Sequence, residues 1–290
     1  MPAWAGQDPM QPKELVLTKQ EFARRRSSLI EQMEPRSIAI VPTAPVRQRN
    51  RDVEFPFRAD SDFMYLTGFA EPEAVAVLKP GREQGSYVLF CRERHPEMEQ
   101  WHGARAGLEG AGETYGADDA FPYGDLDDIL PGLIEGCETV YYAMGYYPDF
   151  DQQMMAWVGR LRTKSRSTPA EFVALDHMLH DMRLFKSREE IKTMSHAMAI
   201  SATAHERAMR MCRPGMYEYQ IEAELQYEFV KAGSRFPAYP SIVAGGANGC
   251  VLHYVENNAA LKEGELLLID AGAEYDHYAS DITRTFPVGG

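Results

Sequence analysis

The spacing of apolar positions changes along this chain between a helical and a strand period, and those changes predict its elements. Residues 18–33 read as a helix, with Thr18 placed to cap it and Glu21 three residues on, as in a capping box. Apolar runs of strand length follow at 37–41, 63–69, 74–78 and 86–90. Pro80, Gly81 and Gly85 mark a turn between the last two. Residues 125–134 predict a helix in spite of Pro131, 139–143 a strand and 149–161 a further helix. Strands alternating with helices predict an α/β domain.

The stretch 162–168 is polar and without apolar period, and Pro169 follows, so a domain boundary is expected near 170. That divides the chain into a disordered leader at 1–12, a first domain at 13–170 and a second at 171–290, with 175–184 as a short linking helix. In the second domain Ser187 and Glu190 form another capping box. Ile191, Met194, Met198, Ala202 and Met209 predict the apolar face of the helix it opens, which Pro214 and Gly215 stop. A second amphipathic helix at 219–232 carries Ile221, Leu225 and Phe229 in one row.

The last segment, ELLLIDAGAEYDHYASDITRTF at 265–286, reads as a β-hairpin. Leu266 to Ile269 form a strand of the fully buried type that ends in Asp270. With the turn centred between Tyr275 and Asp276, Asp270 and Asp281 stand directly opposite, with Cβ atoms about 4.5–5.5 Å apart. Two ionised carboxylates at that range repel by roughly 3 kcal/mol at an effective dielectric near 20. A fold keeps such a pair on one face if a cation sits between them or one stays protonated. The plainer alternative is a solvated hairpin with two surface aspartates. No Asn-Gly or Asp-Gly marks the turn, so the register is inferred.

A length of 290 residues suits two domains, and 44% hydrophobic with 25% charged residues is an ordinary globular composition. The net charge of −13 argues against nucleic-acid and anionic membrane surfaces. Cys91, Cys137, Cys212 and Cys250 form no CxxC pair and are expected to be reduced thiols. With no signal-peptide core and no run of membrane-spanning length, a cytoplasmic protein is expected. His205 and Glu206 begin an HExxH match that Met209 breaks, and neither a GxSxG elbow nor a P-loop occurs.

LLLIDAGAEYDHYASDITRTFPV, with SIVAGGANGCVLHY at 241–254, resembles the catalytic domain of the Xaa-Pro aminopeptidases (aminopeptidase P), metallopeptidases of the pita-bread fold. DSDFMYLTGF at 60–69 and WHGARAG at 101–107 extend the resemblance to their N-terminal domain. The fold it implies is an α/β N-terminal domain of creatinase/prolidase type followed by the first half of a pita-bread domain. It implies that Asp270 ligates one of two divalent ions, most simply Mn2+, and that Asp281 bridges both. The family's other ligands, one His and two Glu, fall C-terminal to the hairpin, so the 290 residues are expected to be a truncated form with little activity of its own. The implied activity is release of the residue ahead of a proline in second position. Prolidase, acting on Xaa-Pro dipeptides, and a non-enzymatic pita-bread binding protein are the alternatives. His253 resembles the histidine that supports the tetrahedral state, and otherwise reads as a strand-end histidine. Tyr239 resembles a cleft tyrosine, and otherwise reads as an aromatic packed between Pro237 and Pro240. Trp101 resembles a tryptophan that reaches a neighbouring subunit's cleft in homo-oligomers, and otherwise reads as a half-buried loop residue.

Overall fold

In the computed structural model, residues 17–164 and 167–289 are described, and the leader expected at 1–12 lies outside them. The chain divides into two compact units, Leu17–Phe185 and Lys186–Gly290.

The first unit runs α1 (Lys19–Ile30), β1 (Ser37–Pro42), β2 (Gln48–Asn50), β3 (Val53–Glu54), α2 (Ser61–Thr67), β4 (Val75–Leu78), β5 (Tyr87–Cys91), α3 (Pro96–His102), α4 (Gly107–Glu113), β6 (Asp119–Pro122), α5 (Leu126–Ile134), β7 (Thr139–Tyr141), α6 (Pro148–Lys164), β8 (Glu171–Val173) and α7 (Leu175–Leu184). Six strands form one sheet in the order β6-β5-β4-β1-β7-β8. β1 pairs antiparallel with β4 and parallel with β7. Helices cover both faces, which is why β1, β4 and β5 are buried at every position and read as unbroken apolar runs. Ala39 and Val41 join Leu29, Phe63, Leu66, Leu175 and Leu179 in one core. Ile38 and Ile40 join Leu130, Ile134, Met154 and Trp157 in the other.

Three expectations change here. The run at 63–69 is helical because Asp60 Oδ1 accepts from the Asp62 and Phe63 amides at 2.8 and 3.0 Å. Gly68 ends that helix at φ +67, where a Cβ would meet the Phe22 ring at 2.5 Å. At α1 the capping box is half made. Thr18 accepts from the Glu21 amide, but the Glu21 carboxylate turns to Arg24 and Arg25 instead. Finally β8 and α7, expected beyond the boundary at 170, pack with the first unit. β8 extends the sheet parallel to β7, and Leu175 and Leu179 are each 1% exposed. Pro131 does stay within α5. It cannot bond the Asp127 carbonyl, which accepts from Arg160 Nη2 at 3.0 Å instead.

The second unit runs α8 (Arg188–Met211), α9 (Glu218–Lys231), β9 (Phe236–Pro237), β10 (Ile242–Gly245), β11 (Leu266–Ala271), β12 (Ala273–Tyr275), β13 (Tyr278–Ala279) and β14 (Ile282–Pro287). The capping box of Ser187 and Glu190 opens α8. A three-stranded sheet, β10-β11-β14, leaves β14 at its edge. Ile221, Leu225 and Phe229 bury in α9 as expected. In α8 the expected apolar face is turned outward: Ile191, Met198 and Met209 are exposed. The buried face carries Thr193, Ala197, Ile200, Ser201, Ala204, His205 and Ala208. Small residues there let α8 approach α9 and the strands closely, so packing distance outranked hydrophobicity in choosing the face. Among the described residues no helix is long and apolar enough to cross a membrane.

Candidate active site

β11 alternates instead of being buried throughout. Leu267, Ile269 and Ala271 are fully buried beneath α8 and α9, while Leu266 is 57% exposed and Leu268 and Asp270 are half-buried. The helices cover one face of this sheet, and Asp270 stands on the other.

The hairpin register differs from the expected one. Asp270 faces Thr283, and Ala271 faces Ile282. The turn is Asp276 and His277, with φ of +48 and +66, the left-handed pair of a type I′ turn built without glycine. Centring the turn one residue later shifts each partner by two. Asp281 therefore lies diagonal to Asp270, on the same face. At this crossing the backbones nearly touch: a Cβ on Gly272 would lie 1.7 Å from the Ser280 carbonyl oxygen. Only glycine fits there.

The two carboxylates converge on one phenol. The Tyr239 hydroxyl is 2.5 Å from Asp270 Oδ1 and 3.0 Å from Asp281 Oδ1. It has one proton to share between two acceptors. Burial first, and then the two carboxylates, push its pKa well above the usual phenol value, so it stays a donor. Tyr239 is thus the link between the two aspartates.

The back of the hairpin is tied to α8. Ser201 Oγ accepts from the Ala273 amide at 2.8 Å and lies 2.7 Å from Ser280 Oγ, which in turn donates to the Ala273 carbonyl. His205 Nε2 donates to the Ala271 carbonyl at 3.1 Å, and burial holds this imidazole below its usual pKa, hence neutral. These bonds fix the backbone on either side of Gly272, beside both carboxylates.

His253 lies in a turn after β10, exposed and, among the described residues, without a hydrogen-bond or ion-pair partner, not at a strand end. Trp101 is on α3 in the first unit, 82% exposed, on a helix with no buried residue. His180 approaches Asp62 at 4.0 Å, and Arg183 already pairs with that carboxylate. All four cysteines are free, with Cys250 exposed.

Carboxylate oxygens are the donors hard divalent ions take, and the convergence of Asp270 and Asp281 fits such an ion in kind. In number they fall short, because among the described residues no group of three His, Cys, Asp or Glu is gathered to hold a metal. Sequence reasoning missed three supports of this region: Gly272, Ser201 and the buried carboxylate of Glu218. Gly272 sits inside the AGAEY run, where its place opposite Asp281 becomes visible only once the register is known.

Comparison with known proteins gives the family of the chain. Residues 22–141 match the family described as Aminopeptidase P, N-terminal domain, and 192–290 match Metallopeptidase family M24. The chain is 46% identical over 278 residues to the Xaa-Pro aminopeptidase of Escherichia coli, a match over 94% of this chain and 63% of that one. It superposes with a TM-score of 0.92 and 63% identity on the Pseudomonas aeruginosa aminopeptidase PepP, covering 94% of this chain and 62% of that one. Zinc-substituted Escherichia coli aminopeptidase P with product gives 0.90 and 46%, over 93% of this chain and 62% of that one. The chain thus spans less than two thirds of the length of these relatives. With an aminopeptidase P N-terminal domain joined to part of a pita-bread domain, it belongs to the M24 metallopeptidase family.

Proposed function

We propose that this chain carries part of the active site of a metal-dependent aminopeptidase that releases the residue preceding a proline. The observation that carries the reading is the pair Asp270 and Asp281, held on the open face of a sheet and sharing the Tyr239 hydroxyl. Asp270 and Asp281 would hold divalent ions, Mn2+ being our choice, with Asp281 between two of them. Ions bound there lower the pKa of coordinated water and polarise a peptide carbonyl. The chain's own residues supply the rest. Gly272, Ser201 and His205 fix the strand backbone that aims the carboxylates. Tyr239 donates to the carboxylate oxygens. His253, a turn residue free to meet a ligand, would donate to the carbonyl oxygen of the peptide. Trp101, exposed on the first unit, would meet a second copy of the protein.

Two carboxylates alone are too few donors for tight metal binding, so residues 1–290 by themselves are expected to hydrolyse little. A pita-bread module that binds without catalysis is the second reading. The test compares residues 1–290 with a polypeptide of the relatives' full length, each supplied with Mn2+. The expected result is release of Xaa from an Xaa-Pro-Yaa tripeptide by the longer chain, lost in Asp270→Asn. Preferential cleavage of Xaa-Pro dipeptides would reassign the specificity to prolidase, and cleavage of neither would overturn the enzymatic reading.

A further inference from the structure

Glu218 is 0% exposed, at the first turn of α9. A carboxylate so placed is costly unless every oxygen is satisfied. Here four neutral donors satisfy it. Oε1 accepts from the Gly245 amide at 2.8 Å and Asn248 Nδ2 at 3.0 Å. Oε2 accepts from the Tyr254 hydroxyl at 2.7 Å and the Ala259 amide at 2.8 Å. Burial pushes its pKa up, but the four bonds outweigh that and hold the carboxyl below its usual value, so it is ionised.

These donors come from one segment, 245–259, at its start, middle and end. Asn257, 2% exposed and at φ +48, holds the segment from within. Its Oδ1 accepts from the Val243 amide, and its Nδ2 donates to the Ser241 carbonyl and to Glu222. The tip stays open: Leu252 is 89% exposed, and His253 next to it is exposed too. The segment also runs over the face of the sheet that bears Asp270, since a Cβ on Gly249 would lie 3.7 Å from the Leu268 Cβ.

We propose that Glu218 is a positioning residue, which clasps 245–259 through four hydrogen bonds and thereby sets the place of His253 relative to the Asp270 face. The proposal rests on His253 acting in the proposed reaction, but its clasp is measurable without substrate. A segment with its ends and middle tied to one buried carboxylate loses the freedom that an exposed turn would otherwise have. Tyr254, bonded directly, transmits the constraint to its neighbour His253.

The test is amide hydrogen exchange together with the imidazole proton signals of His253, on residues 1–290 without substrate. In Glu218→Gln the side-chain oxygen can still accept from Gly245 and Asn248, whereas the new NH2 group opposes the Ala259 amide. Exchange at Ala259 should quicken about tenfold or more, as for one lost buried hydrogen bond. The His253 signals should broaden, while amides of β11 and β14 keep their protection. Tyr254→Phe removes one donor without leaving a mismatched group, and should broaden the His253 signals with the fold intact. Unchanged His253 signals in both variants overturn the proposal. So does exchange that rises equally across β11 and β14, which would make Glu218 a general support of the fold. Failure of the functional reading looks different: the clasp persists, but His253→Ala leaves Xaa-Pro hydrolysis by the longer polypeptide unchanged.

Discussion

The two units solve the same problem, covering a sheet, in different ways. In the first, helices lie on both faces, and β1, β4 and β5 have no exposed position. In the second, α8 and α9 cover one face, and the other keeps Leu266 in solvent and Asp270 half-buried. A doubly covered sheet can hold little but apolar side chains, since an unpaired charge inside it costs several kcal/mol. A singly covered sheet can present carboxylates from a rigid backbone. The candidate chemistry stands accordingly on the second sheet, and the polar bonds around it, from Tyr239, Ser201 and Glu218, add to the apolar packing on its covered face.

Substitutions that read packing should separate the units most strongly. Trp157→Ala removes a fully buried ring and its hydrogen bond to Asp127 Oδ1 at 2.6 Å. It should destabilise the first unit by about 3–5 kcal/mol, seen as a lowered midpoint in urea. Leu266→Thr, on the open face, should stay within about 0.5 kcal/mol in the same experiment. A comparable loss from both would mean that the open face is covered.

Gly272→Ala probes the second unit at the crossing of its strands. A methyl group cannot occupy a position 1.7 Å from the Ser280 carbonyl, so the strands must part. The expected cost is about 1–3 kcal/mol, with chemical-shift changes centred on Asp281 and Tyr239. An unperturbed Tyr239 would show that the register there is not as described.

A pH titration gives a smaller effect, confined to the second unit. The folded pKa of Glu218 is below its unfolded value of 4.5, burial being outweighed by the four donors. The stability it contributes is full above the unfolded value and is lost as pH falls through the folded one. Amide protection at Gly245 and Ala259 should therefore hold from neutral pH to about 5 and fall below it, earlier than protection of β1 and β4 in the first unit. Simultaneous loss in both units would remove Glu218 from the explanation.

The same contrast explains which parts of the molecule could be read from the sequence. The doubly covered strands announce themselves as apolar runs at 37–41, 74–78 and 86–90. The run at 63–69 misled because it is equally apolar in a helix, and its cap at Asp60 and its stop at Gly68 decide the matter. The α8 face misled for the opposite reason. Methionine and isoleucine set the apolar period, yet close approach selected alanine, serine and histidine. Asp270 and Asp281 were legible from their motif, whereas their diagonal geometry was not, because Asp276 and His277 make a type I′ turn without its usual glycine. Glu218 was hidden by its position. An acidic residue in the first turn of a helix reads as a partner of the helix dipole, and nothing local shows that four donors from 245–259 close around it.

The claim that Asp270 and Asp281 form one cation-binding face is tested most directly by adding Mn2+ to residues 1–290 and mapping paramagnetic line broadening. Binding is expected to be weak, since among the described residues no third His, Cys, Asp or Glu joins the two carboxylates, but localised. Broadening should centre on Tyr239, Asp270 and Asp281 and vanish in Asp281→Asn. Broadening spread over the acidic surface, or unchanged by that substitution, would contradict the assignment.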